Sequence, residues 1–525
     1  MSQIYTAEIT VYDPALPGSR TLFFASDEGF TSRTSDSPSD TVFEPRIMQP
    51  ALLRRDAFDK GTTGGRSRVG YGELILNNAD GGLDSFIDYG LDSRELVIRV
   101  GDPFTDAYPA GFTTILRGSM TQPEVSATRV RIPVRDRQYL IPKESNLTRY
   151  AGTNVLPAGV EGVEDLAGLP KPQTWGKVYN VTPVLVNSSR LIFQVKNGAI
   201  SDVPAAYDRG SALTKGANYS SQADMETNAP SAGNYRVWPA GGMFRLGSSL
   251  TGLLTCDVTE GATAADRTAA QVFKAILTTL GGVSVSDISA SDLTDLDAAN
   301  SAEIGVYASV ALEKDEQGNL DPEPIRTLLD YVARSVGAWW ATDISGLFRI
   351  KRLEAPSGSP VVDLSADNVI AFDRVATQDP GNGIPAYRAL VRCVPNWTPQ
   401  TSDLASGVTA ARRGILAQPY QTATATDTAT LTKHPNASVL DVPALFATLA
   451  DGTTEAARLL ALYGVRRDRI EARVNLTTTE QAALDLGAVV RLTYPRYGYD
   501  AGKLFRVLGY QLDSRRGTAV VTLWG

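Results

Sequence analysis

The closing stretch of the chain, from Asp485 to Gly525, restricts the fold more than any other segment. Three apolar, β-branched runs stand there, Ala488 to Tyr494, Leu504 to Tyr510 and Thr518 to Trp524. The connections Pro495-Arg-Tyr-Gly-Tyr-Asp-Ala-Gly502 and Asp513-Ser-Arg-Arg-Gly517 are full of residues whose backbone preferences suit turns. Short apolar runs bounded by turn chemistry predict an antiparallel meander forming most of a small barrel. Because the third run reaches Trp524, the expectation is a fold closed by that final strand. Trp524 is then expected to close the barrel beside a subunit interface.

A similar order stands near the other end. Glu95-Leu-Val-Ile-Arg-Val leads through a Pro/Tyr/Gly loop to Thr114-Ile-Leu-Arg-Gly-Ser-Met, and a polar turn precedes Arg129-Val-Arg-Ile-Pro-Val. In the last run Val130, Ile132 and Val134 share one face while Arg129, Arg131 and Arg135 share the other, so one face is buried and one wet. Pro133 puts that strand at an edge or beside a bulge, because proline offers no N–H to a ladder. Strand, long loop, Arg-bearing strand, short turn, strand: the order matches the closing stretch. It fits a duplication, and it also fits a chance likeness between two meanders.

Between the two meanders the period changes. Ala269, Val272, Phe273, Ile276, Leu277 and Leu280 recur at helical spacing, and Gly281-Gly282 ends the run as a C-cap would. Ile325, Leu328, Leu329, Val332 and Val336 repeat the pattern behind Pro324. Gly337-Ala-Trp-Trp and Leu347-Phe-Arg-Ile-Lys-Arg then predict a hairpin. Further on, Gln418 to Thr432 reads as extended and Thr454 to Arg467 as a helix. With roughly 150 residues per domain, the 525 residues divide into a β-barrel-like domain over 1–150, a β-rich insertion over 151–255, an α+β module over 256–355, and a β-barrel-like domain with a helix over 356–525. The expected class is β-rich α+β and multidomain. It has two small antiparallel β-barrel-like domains, an inserted β domain and a central α+β module.

The residues that carry chemistry are sparse. A net charge of −8 gives no strongly basic footprint for nucleic acid. Cys256 and Cys393 are too few and too distant for a disulfide framework, and no Cys-x-x-Cys occurs. The start, Met1-Ser-Gln-Ile-Tyr-Thr, lacks the basic and apolar regions of a signal peptide, and no run approaches the ~20 apolar residues of a membrane span. The single histidine, His434, sits in a turn-like stretch and excludes a multi-histidine metal site within one chain. Gly65-Arg-Ser-Arg-Val-Gly70 lacks the Lys-Ser/Thr pair that a phosphate loop needs, and it enters a strand where that motif requires a helix. Asn78-Ala-Asp-Gly-Gly-Leu-Asp84 reads as a β-turn, since an EF-hand alignment would put Leu76 and Ile87 at ligand positions. The acidic clusters Asp292, Asp295, Asp297 and Glu313, Asp315, Glu316 read as solvated surface. Arg466-Arg-Asp-Arg469 with Arg473 lacks the interleaved aromatics of a strand-binding platform. No catalytic, cofactor-binding or metal-binding residue is assigned.

Several stretches together resemble tail proteins of long-tailed bacteriophages and prophages. They are Gly70-Tyr-Gly-Glu-Leu-Ile-Leu-Asn-Asn-Ala-Asp-Gly-Gly-Leu-Asp84, Arg135-Asp-Arg137, Leu169-Pro-Lys-Pro-Gln-Thr-Trp-Gly-Lys-Val178, and the close from Asp485 through Gly502-Lys-Leu-Phe-Arg-Val-Leu-Gly509. The resemblance spans nearly the whole chain, rests on general pattern, and points to the baseplate hub at the tail tip, similar in plan to the hub of contractile tails. It implies a structural virion protein without enzymatic activity or cofactor. The implied assembly is a homotrimer with two tube-lining barrels per chain, giving six similar units that dock on a hexameric ring. Implied partners are the distal tail protein ring, the tape measure protein and other tail-tip or fibre proteins. Genome DNA passes through the channel without specific binding. The implied location is the virion tail tip, after assembly in the host bacterial cytoplasm. Two other readings stand beside it. One is a tail-borne enzyme degrading the cell wall; the other is a carbohydrate-binding receptor protein using the insertion from Trp175 to Trp238.

Overall fold

The computed structural model describes residues 3–16, 18–50, 52–58, 65–67, 70–141, 148–308, 325–375 and 385–525. Its N-terminal part is a sheet of β1 (Ile4–Tyr12), β2 (Ser19–Ala25), β3 (Ile47–Gln49), β4 (Leu52–Asp56), β5 (Tyr71–Asn77), β6 (Glu95–Gly101), β7 (Thr113–Met120) and β8 (Arg129–Arg135). Alternation governs each strand. In β8, Val130, Ile132 and Val134 are buried while Arg129 and Arg131 are exposed, as a period of two requires. Pro133 lies opposite the point where the neighbouring strand breaks, between Met120 and Glu124, so no ladder bond is lost.

The insertion forms two five-stranded sheets. One runs Ser211–Ala212, Asp202–Asp208, Leu254–Thr259, Gln173–Val181 and Gly305–Ala308. The other runs Val184–Asn187, Ile192–Gln194, Met243–Leu246, Asn234–Trp238 and Thr214–Lys215. Val178, Phe193, Tyr235, Phe244 and Cys256 fill the space between them. Gly305–Ala308 therefore pairs into the insertion although it follows the first helices of the central module.

That module contains α1 (Ala269–Thr279), α2 (Ala290–Ala299), α3 (Ile325–Ser335) and the hairpin β9 (Ala338–Thr342) with β10 (Phe348–Arg352). Gly65–Arg66 adds to β9 in parallel, in strand geometry. Phe273, Leu329 and Trp340 share one core with Val391 of the strand Ala386–Cys393 and with Leu459 of α4 (Leu449–Tyr463). The stretch 356–525 is thus divided between two cores.

Two local expectations are corrected. The helix expected over 454–467 begins earlier, because Thr448 caps it by accepting from the Asp451 N–H at 3.1 Å, and it stops at Gly464. The segment expected to be extended over 418–432 is the strand Gln421–Thr426 followed by the helix Thr428–Lys433. The Asp427 carboxylate caps that helix, 2.9 Å from the Ala429 N–H.

The C-terminal part contains β11 (Val369–Val375), β12 (Arg469–Asn475), β13 (Val489–Tyr494), β14 (Tyr499–Asp513) and β15 (Thr518–Trp524). The middle strand is longer than the apolar run alone predicts. It pairs with β13 over its first half and with β15 over its second, so turn-favouring residues from Tyr499 to Gly502 are drawn into the ladder. N- and C-terminal sheets form one continuous wall around a shared core that includes Ile98, Ile132, Val474, Phe505 and Leu523. Among the described residues the pairings branch without returning to their start, so each barrel-like half stays open in its hydrogen bonding. Trp524 is 1% exposed and lies inside this chain. Its ring sits 6.3 Å from that of Tyr463 on α4, with the Arg467 guanidinium 5.2 Å over it. Leu523 is the last position of β15 that faces the wall core, and Trp524 lies on the other face of the strand, against a helix of its own chain.

Candidate functional site

The feature that sets this wall apart is its repetition. In the N-terminal half the order β6–β7–β8–β5–β3 is antiparallel at every step. In the C-terminal half β13–β14–β15–β12–β11 has the same order, again antiparallel throughout. The third strand of each unit returns onto an earlier strand over seven residues. Arg129 to Arg135 faces Asn77 to Tyr71, and Thr518 to Trp524 faces Asn475 to Arg469. The likeness ends beyond the first strand, where β6 has antiparallel β1 as its neighbour and β13 has Val362–Leu364 in parallel.

The two units meet edge to edge. β4 pairs with β14 from Asp56↔Gly509 to Leu52↔Asp513, and the Ala57 N–H donates to Leu508 O at 2.6 Å. Arg55 pins this seam from within, at 4% exposure. Its guanidinium donates to the Asp485 carboxylate, to the Thr342 carbonyl and, at 3.2 Å, to the Tyr510 hydroxyl. One side chain therefore binds the N-terminal sheet, the C-terminal sheet and the central hairpin. Burial beside this cluster pushes the Tyr510 phenol up to about 12. On the outer side of the seam lies an open groove of about 840 Å3, whose lining includes Met48, Leu52 and Val520 among Arg473, Arg515 and Arg516.

A second buried group stands behind the seam. The Asp136 carboxylate accepts from the Gly70 N–H at 2.6 Å and from the Gln138 N–H at 3.1 Å. Burial nevertheless raises its pKa from 3.8 to about 6, against the pull of those donors and of Arg55. A carboxyl whose folded value lies above its unfolded one favours folding in its protonated form. That stability is present below 3.8 and is lost as pH rises through about 6. The loss amounts to about 3 kcal/mol. The difference in unfolding free energy between the natural chain and Asp136→Asn should shift by about that much in favour of the variant across this window. Urea denaturation at a series of pH values measures it, and a flat difference would show that the buried carboxylate ionises freely.

The residues singled out in the sequence are scattered. His434 is half-buried and ends the helix Thr428–Lys433, with its backbone N–H on Thr430 O at 2.8 Å. Asp80 is paired with Arg46 at 2.8 Å in the expected turn, where the Asn78 side chain accepts from the Leu83 N–H. Asp292 holds Arg349, and Asp297 accepts from Gln271 Nε2 at 2.7 Å, while Asp295 is exposed. These acids therefore hold the local structure more than the surface reading allows. Glu313, Asp315 and Glu316 lie outside the described residues. Cys256 and Cys393 are buried and unbridged. Trp175 is a core residue at 1% exposure, and Trp238 is half-buried. Among the described residues no three His, Cys, Asp or Glu side chains gather as a metal site. In the sequence Arg55 carries no signal and Asp136 stands out only within Arg135-Asp-Arg137, because an arginine inside a strand and an aspartate after one show no partner there.

No protein-family model and no curated protein matches the chain. Among solved structures it is similar to a tail protein from Neisseria meningitidis, at 10% identity and a TM-score of 0.41, over 92% of this chain and 93% of that one. It is also similar to the 43 kDa tail protein of prophage MuSo2 from Shewanella oneidensis, at 10% identity and a TM-score of 0.39, over 92% and 96%. A third is the prophage tail protein gp18 from Listeria monocytogenes, at 9% identity and a TM-score of 0.39, over 100% and 94%. Likeness at this level is loose, and the functional reading rests on the residues and pairings of the chain itself.

Proposed function

We propose that the protein is a structural component of a phage tail, the baseplate hub that joins the tail tube to the tail tip. The observation that carries this reading is the pair of antiparallel units with one strand order, fused edge to edge in one chain. Three such chains around an axis present six similar units, which is the number a six-fold ring of tail subunits demands. The continuous hydrogen-bonded seam and the shared core keep the two units in a fixed relation, as a rigid ring requires. In this reading the ring surrounds the channel through which DNA leaves. The arginine-bearing outer faces meet neighbouring subunits, since tight binding of phosphate would oppose ejection. The distal tail ring, the tape measure protein and the tail-tip fibres are its proposed neighbours.

Mass photometry and low-resolution cryo-EM of the full chain, alone and with tail-tube subunits, test this. A trimer with three-fold symmetry and six similar lobes is expected. A chain that stays monomeric at assembly concentrations, with or without tube subunits, would overturn it.

A further inference from the structure

A second cavity, of about 410 Å3, lies between α2, strand β10 and the turn that leads into β13. Its lining carries four cations, Arg349, Lys351, Arg352 and Arg506, and three carboxylates, Asp292, Asp295 and Glu354. These charges are not matched one to one. Arg349 is held by Asp292 at 2.7 Å and by Asp343 at 3.0 Å. Arg352 is bound to Glu455 and lies 3.4 Å from Glu354, which is shared with Arg458 at 3.5 Å. Asp295 stands exposed on α2.

Lys351 and Arg506 remain. Among the described residues, no hydrogen bond or ion pair reaches the Lys351 ammonium. Arg506 gives Nε–H to Glu354 O and one Nη1–H to Gly487 O, both at 2.9 Å. A guanidinium has five N–H groups and an ammonium three, so six of their donors have no protein acceptor among the described residues. Desolvation first, and the neighbouring Arg349 second, push the Lys351 ammonium below the ordinary lysine range, against the pull of Asp485, Asp292 and Asp343. Desolvation lowers Arg506 as well, against the pull of the Glu354 carboxylate. Gly487 lets the wall close on the lysine stem. Its φ is +79°, and a Cβ there would lie 3.0 Å from Trp339 Cζ2 and 3.5 Å from Lys351 Cδ.

We propose that this cavity binds a small oxyanion, a carboxylate or a phosphate, held between Lys351 Nζ and the Arg506 guanidinium. Cations removed from bulk water lose hydration, and an anion bound beside them relieves that cost. Its oxygens would meet charge-assisted donors, which are among the strongest protein hydrogen bonds. The Trp339 ring and the paired Arg349–Asp292 and Arg352–Glu354 groups form fixed walls, so the site needs no rearrangement to fill.

Thermal unfolding and titration calorimetry of the full chain with sodium phosphate and with sodium acetate, against sodium chloride at equal ionic strength, test this. A saturable rise in Tm and a saturable heat with one of the two anions are expected, and the one that produces them identifies the class. Lys351→Met keeps the stem and removes the charge. It should abolish the response while leaving the Tm in chloride equal or higher. Should that variant fail to fold, Lys351→Gln provides the same comparison. Arg473→Gln, in the groove on the seam, should retain the full response. Absence of a saturable response in the natural chain overturns the proposal. So does an unchanged response in the folded lysine variant.

Discussion

Replacing Trp524 with alanine is expected to lower the unfolding free energy by about 3–5 kcal/mol. The ring is 1% exposed and fills the space between β15, Tyr463 on α4 and the Arg467 guanidinium. Truncation to a methyl group would leave a void that the sheet cannot close. The ladder fixes the backbone of Trp524 on both sides, against Arg469 and against Arg506. Equilibrium urea unfolding followed by tryptophan fluorescence and circular dichroism measures the effect. A loss below about 1 kcal/mol would mean that the site collapses without strain, contrary to the packing described. Trp524→Phe retains most of the volume and should cost distinctly less.

The second large effect is expected at Arg55. Arg55→Ala removes the group that the Asp485 carboxylate, the Thr342 carbonyl and the Tyr510 hydroxyl all share. Breaking a buried charged cluster by deleting one partner costs about 3–5 kcal/mol, because the remaining groups keep their desolvation penalty. Arg55→Lys should also be costly. A single ammonium cannot span three acceptors on three elements as a planar guanidinium does. If the seam joins the two sheets into one cooperative body, Arg55→Ala should also weaken the hub assembly proposed for this chain. Unfolding curves read the first effect, and sedimentation of the assembled protein reads the second. A variant with natural stability would show that the backbone ladder between β4 and β14 suffices without its pin.

Glu455 supports the same division of labour on a smaller scale. It is 2% exposed and answers both Arg352 and Arg458, so it locks α4 to β10. A helix was expected over 454–467, yet the N-terminus of α4 is set by Thr448, a capping residue ahead of that stretch. The same applies to Asp427, whose carboxylate starts a helix where the Thr/Ala-rich sequence reads as extended.

Local alternation and turn chemistry by themselves determined that both ends of this chain would form antiparallel strands. They also determined that a helical module would interrupt them. β8 could be read residue by residue because a half-buried strand must alternate, and α1 and α3 because a packed helix must repeat every three to four positions. The match between the two meanders was visible too, as an order of runs and loops without a decision between duplication and chance. Only the tertiary structure showed that each meander returns onto an earlier strand in the same order, that β4 and β14 fuse the two units, and that Trp524 faces a helix of its own chain. It alone showed Arg55 against Asp485, 430 positions away, and Lys351 and Arg506 in the lining of one cavity. The physical reason is one of range. Backbone preference and periodicity act over a few residues and leave their mark in sequence. Strand pairing at long separation, and the pairing or isolation of buried charges, depend on which surfaces meet.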